Sequence, residues 1–185
     1  MRTSPHRRLL RRATVVLLLA LWIVAPVSAQ RRRTRAVVEP DSVVQAQIDT
    51  FVLTVREMAA WAIVTPAAHI PVGGIEDSIG RMATVVGTQD VRGVTVPDSV
   101  LARFRTALGL AARRQRSRAI GLAYLARTAP PGDTRGVETV VVEVEHRSGK
   151  RANVYFPYVF EGTEQPVFGT PFTRPGTLRE FMTAR

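Results

Sequence analysis

The 185-residue chain carries 26 Lys+Arg against 15 Asp+Glu, a net charge of +11, and contains no cysteine. The missing cysteines exclude disulfides, thiol nucleophiles and thiolate metal sites, so packing alone must hold the fold. The basic excess suggests nucleic acid or an anionic surface as partner, but it is concentrated at one end. Arg2, Arg7, Arg8, Arg11 and Arg12 precede residue 30 with no acid among them, which leaves 21 basic residues against 15. Taking away the four of Arg31, Arg32, Arg33 and Arg35 as well leaves 17 against 15, a net +2 from Ala36 onward. That is an ordinary surface charge, and no nucleic-acid partner is expected.

The five arginines are followed by an uncharged run, Ala13 to Gln30, built around Val15, Val16, Leu17, Leu18 and Leu19 and closing on Val27-Ser28-Ala29. A basic start, an apolar middle and a small-x-small exit describe a secretory signal peptide over residues 1–29. The alternative is an uncleaved membrane anchor, since 18 uncharged positions approach the length of a spanning helix; the arginines just after the run resist translocation. Export to the periplasm or medium is the expectation, and membrane contact would come through an uncleaved leader or the Arg31–Arg35 tail. Sequencing the N-terminus of envelope-fraction protein should read from Gln30; protein that keeps Leu17–Leu21 there is anchored instead.

Residues 30–40 are polar, basic and aperiodic and read as a disordered tail, leaving 41–185 as a single domain. Pro40-Asp41-Ser42 opens a helix with Asp41 or Ser42 as N-cap. Its apolar stripe is Val44, Ile48, Phe51, Val55, Met58 and Ala62, thickened by Trp61, and Pro66 stops it. Thr65–Gly74 reads as a loop. Ile75, Ile79, Met82 and Val86, spaced 4, 3 and 4, predict a short second helix ended by Gly87. Val91–Val96 reads as loop or short strand. Pro97-Asp98-Ser99 opens a third helix, with Leu101, Phe104, Leu108 and Ala111 as its stripe.

Arg118–Thr128 fits a helix or a buried strand; Gly121 and the following Pro130-Pro131-Gly132 favour strand. Val137–His146 and Lys150–Phe160 form a hairpin around Arg147-Ser148-Gly149, with Gly149 left-handed. This register sets Val144 against Ala152, Val142 against Val154, Val140 against Phe156 and Glu145 against Arg151. Pro157 inside the second strand argues for an edge or a bulge. Pro166–Phe172 predicts a last strand, and Thr177-Leu178-Arg179-Glu180 has the capping-box pattern of a terminal helix. The fold class is therefore α+β, with N-terminal helices packed on a 3–4-stranded antiparallel sheet.

No catalytic motif is present: the chain lacks HExxH, GxSxG, a phosphate-binding loop and a dinucleotide glycine run. His69, beside Gly73-Gly74, is a candidate general base. His146 is placed at the sheet edge. Glu143 and Glu145 share one strand face, about 7 Å apart, with Thr139, Arg151, Asn153 and Tyr155. That face reads as the wet side of a half-buried sheet. If it lined a pocket, Glu143, Tyr155 and Asn153 would orient a ligand. Trp61, Phe156, Tyr158 and Phe160 read as core, with Trp61 and Asn153 the ligand-binding candidates. No metal or cofactor is expected.

The order of elements (helices, a strand ending in a Pro-Pro-Gly turn, then an antiparallel hairpin) resembles nuclear-transport-factor-like cone domains over Asp41–Phe172. The likeness rests on element order; the last strand lacks the Gly-x-Trp ending, and Val91–Val96 has no counterpart. The resemblance implies either a binding module or a small-molecule enzyme. Three readings follow: an exported module that binds a small apolar ligand or an envelope protein; an isomerase- or hydrolase-type enzyme with a pocket between the sheet and the first helix, using His69 with Glu143 or Asp77; and a protein held on anionic surfaces by Arg31–Arg35 and the cluster Arg103, Arg105, Arg113, Arg114, Arg116 and Arg118.

Overall fold

Two prolines set where the helices begin. The computed structural model describes residues 39–65, 70–87, 96–162 and 165–180, with helix α1 at Asp41–Val64 and α2 at Asp98–Gln115. Pro40 and Pro97 stand just before the first turns with φ of −57° and −58°, already the helical value. The Pro40 carbonyl accepts the N–H groups of Val43 and Val44, and that of Pro97 those of Val100 and Leu101. Asp41 is thus the first helical residue of α1, and neither it nor Ser42 caps the helix. The expected stripe is buried at Val44, Ile48, Phe51, Val55 and Ala62, whereas Trp61 points outward. α2 ends at Arg116, whose φ of 51° closes it in the left-handed conformation.

Seven antiparallel strands form one sheet, nearly twice the number read from the sequence: β1 Val72–Glu76, β2 Met82–Val86, β3 Ala119–Thr128, β4 Val137–His146, β5 Arg151–Val159, β6 Val167–Phe168 and β7 Phe172–Pro175. Their order is β2-β1-β3-β4-β5-β6, with β7 also on β5. The predicted helix over Ile75–Val86 is instead the β1–β2 hairpin. Its turn is made by Asp77, which accepts the N–H groups of Ile79 and Arg81 at 3.0 and 2.9 Å, and by Gly80 at φ 85°. Ile79, the supposed inner-face residue, is 72% exposed at the turn tip. Gly73 and Gly74, read as loop, belong to β1.

The β4–β5 hairpin has the predicted register, including Val142 against Val154 and Glu145 against Arg151, with Gly149 left-handed at φ 91°. Pro157 occupies neither an outer edge nor a bulge. It falls between β7, which pairs with Ala152–Tyr155, and β6, which pairs with Tyr158 and Val159. Its carbonyl accepts the Gly169 N–H on that side, so the missing donor faces a break in the partner strand. Thr177, Leu178 and Arg179 are not helical, and Leu178 is buried as the chain crosses the domain.

The two helices lie on opposite faces of the sheet. A Cβ at Gly121 would stand 2.5 Å from the Phe51 ring of α1, whereas one at Gly73 would stand 2.8 Å from Leu108 of α2. Gly121 shares its face with Val144 and Ala152; Gly73 shares the other with Leu122, Glu143 and Asn153. Both faces of the central strands are therefore covered, and Phe51 and Val142 are buried as the two periodicities predict. These residues belong to one compact unit, Val38–Arg185. No helix among the described residues is long and apolar enough to cross a membrane.

Candidate functional site

The polar face of the hairpin does not meet water. Glu143, Glu145, Asn153 and Thr139 are buried, Glu143 to 1% exposure, and Tyr155 is at 9%. β4 alternates valine with polar residues as a half-wet strand does, but α2 shields the side that looked wet. This polar face also lies opposite α1; the face toward the first helix, where a pocket was expected, carries the apolar core with Glu76 and His146 at one end.

Glu143 is the centre of the buried set. Arg105 of α2 reaches across with both arms: Nε donates to Oε2 at 2.8 Å and Nη2 to Oε1 at 2.6 Å. The Tyr124 hydroxyl donates to Oε1 at 3.0 Å. A bidentate guanidinium–carboxylate pair is the strongest kind of charged hydrogen bond. Its hydrogen bond to Glu143 raises the Arg105 pKa further. Burial, then the Glu143 charge, push the Tyr124 phenol well above its ordinary value. Both partners therefore keep their protons near neutrality, and the carboxylate is committed as their acceptor.

The other candidates are likewise engaged. Asn153 donates from Nδ2 to Thr177 Oγ1 at 3.1 Å and accepts the Thr177 N–H at Oδ1, fixing the segment after β7 to the sheet. This bond is what the capping-box threonine does in place of starting a helix. Tyr155 stacks on Phe172 with ring centres 4.8 Å apart, and the Arg174 guanidinium lies 4.9 Å from its ring centre. Asp77 holds its turn and accepts from Arg81 Nε at 2.9 Å; the hydrogen bond from the Arg81 backbone lowers its pKa first of all. Trp61 is 61% exposed and Phe160 51%, so neither is core. His69 lies outside the described residues.

Arg105 and Tyr124 are the members that sequence reading overlooked, and a signal for Arg105 exists. Leu101, Leu108 and Ala112 are, with Gly109, the buried residues of α2. Arg105 completes their stripe at spacings of 4, 3 and 4. A cation on an apolar stripe, opposite an acid on a strand, is the pattern of a pair closed across the core.

A second buried pair sits at the end of the sheet where β1 turns into β2. Arg118 donates from Nε and Nη2 to Glu76 at 3.1 and 2.7 Å. His146, on the same cross-strand row as Glu76 and Ala119, is only 3% exposed and not at an edge. Its Nδ1 accepts the Ser148 N–H at 3.1 Å, which places the ring proton on Nε2. Burial lowers its pKa; Arg118 and Lys150 act with burial, and Glu39 and Glu76 oppose it. A depressed histidine contributes stability that is full above its unfolded value, about 6.5, and is lost as pH falls toward the folded value. Thermal melts of the full chain from pH 7.5 to 5 should therefore decline, and His146→Gln should flatten that decline. Parallel curves for the two proteins would show that His146 does not set it.

Among the described residues no three His, Asp or Glu side chains gather as metal ligands. No protein-family model, curated protein or solved structure matches the chain.

Proposed function

We propose that the chain is an exported envelope domain that works by binding rather than by catalysis. The observation behind this reading is the closed Arg105–Glu143–Tyr124 knot: the acid best placed for proton transfer is spent holding α2 to the sheet. A general base must present its carboxylate to a substrate proton, and Glu143 presents it to an arginine fork. Asn153 and Tyr155 serve in the same way to seat the β7 segment. Trp61, a large apolar side chain left on the surface, is the natural contact for an apolar ligand or an envelope protein. A kinship with nuclear-transport-factor-like domains belongs to the same proposal and rests on element order alone.

The test pairs a capture with an assay. A photo-crosslinking residue at position 61, in the producing cell, should trap a discrete adduct that the same residue at exposed Arg135 does not. Turnover of ester or enolisable ketone substrates by the purified protein, abolished in a folded Glu143→Gln variant, would make the domain an enzyme.

A further inference from the structure

One end of the sheet gathers several basic residues from separate stretches of chain. Glu76, Ala119 and His146 stand side by side there. The Arg118 N–H donates to the Glu76 carbonyl at 2.7 Å and the Arg147 N–H to the Arg118 carbonyl at 2.8 Å, while Lys150 Nζ lies 3.4 Å from the Asp41 carboxylate. These bonds bring together the β1–β2 turn, the α2–β3 junction, the β4–β5 turn and the start of α1.

Of the acids at this end, Glu76 is spent on Arg118, Asp77 on Arg81 and Asp41 on Lys150, and exposed Glu39 stands near enough to Arg118 and His146 to act on both. Arg114, Arg116 and Arg147 are exposed and make no ion pair among the described residues. Two apolar side chains stand out with them: Ile79 at the turn tip, 72% exposed, and Val43 in the first turn of α1, 43% exposed. The far end of β3 and β4 differs in kind. Arg127 lies beside Glu138 there, and Arg135 beside Asp133.

We propose that this end of the domain rests on an anionic phospholipid surface, with Arg114, Arg116 and Arg147 over the headgroups and Ile79 dipping between them. Unpaired cations around a protruding apolar side chain suit a membrane interface, where charge attracts and apolar burial holds. Of the six-member arginine cluster read from the sequence, Arg114 and Arg116 serve this surface, whereas Arg105 and Arg118 are paired with Glu143 and Glu76 and Arg113 donates to the Glu180 carbonyl. The two turns supply what the cluster lacks.

The absence of cysteine makes the test direct. Ile79→Cys and, as its opposite-end control, Phe160→Cys each give the full-length chain a single site for a polarity-sensitive fluorophore. On phosphatidylglycerol–phosphatidylcholine vesicles the probe at 79 should brighten and shift to the blue, and the probe at 160 should not. Substituting Arg114, Arg116 and Arg147 together with Gln should lower the affinity read at 79 about a hundredfold, at roughly fivefold per charge. Substituting Arg103, Arg127 and Arg135 removes the same charge elsewhere and should leave it within a few-fold. The proposal fails if the probe at 160 responds as strongly as that at 79, if phosphatidylcholine alone gives the full response, or if the two triple variants behave alike. A response to soluble polyphosphate as large as that to vesicles reassigns the surface to a free polyanion and overturns the membrane.

Discussion

Phe51→Ala should lower the unfolding free energy by about 3–5 kcal/mol, the range for removing a buried aromatic ring, as read from urea melts of the purified protein. Phe51 is 1% exposed in the middle of α1, and its ring fills the hollow that two glycines leave in the sheet. A Cβ at Gly121 would come 2.5 Å from Phe51 Cε1, and one at Gly74 3.3 Å from Cζ. The same geometry predicts a coupling. Gly121→Ala alone should cost about 1–3 kcal/mol by overpacking against the ring. With Phe51 already alanine, the added methyl enters the space left behind and should cost less by about 1 kcal/mol. Strict additivity, or a loss under 1 kcal/mol for Phe51→Ala, would mean that α1 lies loosely on the sheet. Phe51→Leu, with a smaller cavity, keeps the comparison measurable should the alanine variant fail to fold.

Where one element's own residues carry its period, the sequence is legible. The stripe from Val44 to Ala62 defines α1, and alternation in Val140, Val142 and Val144 settles the β4–β5 register because a one-residue slip would bury every wrong side chain. The β1–β2 hairpin escaped notice because Ile75, Ile79, Met82 and Val86 happen to fall at helical spacings. The decisive features are a left-handed Gly80 and an Asp77 turn, which act over five residues and leave no period. Pro157 misled in another way: its tolerance depends on where β6 and β7 stop, residues away in sequence.

The site was legible in its β4 and β5 members and not in its environment. Glu143, Asn153 and Tyr155 share a face by strand geometry alone, and they do so in the fold. Whether that face meets water depends on what packs above it, which β4 and β5 do not encode. The answer was in α2, as Arg105 on an otherwise apolar stripe. Read together, the cation there and the acid on β4 imply a buried contact between helix and sheet; read separately, each looks like surface. Trp61 shows the converse, an aromatic next to a stripe that the helix turns outward to 61% exposure.

That helix–sheet contact predicts the second large effect. Arg105→Met leaves the Glu143 carboxylate, 1% exposed, with the Tyr124 hydroxyl as its remaining side-chain donor among the described residues. Stranding a buried charge costs about 3–5 kcal/mol. The lower end is expected here, because the Arg105 side chain is 25% exposed and water can follow it in. Glu143→Met should cost less, about 1–2 kcal/mol, since a released guanidinium can turn outward and only hydrogen bonds are lost. The double variant replaces the pair by two thioethers of similar reach. It should lie closer to wild type than Arg105→Met alone, a coupling of about 2 kcal/mol in a double-mutant cycle. Salt discriminates the cause: a surface pair would lose its coupling in molar sodium chloride, where charges are screened within about 3 Å, whereas a pair closed between α2 and β4 keeps most of it. A coupling below about 0.5 kcal/mol, or one that salt removes, would show that Arg105 does not pin α2, and the case against Glu143 as a working acid would go with it.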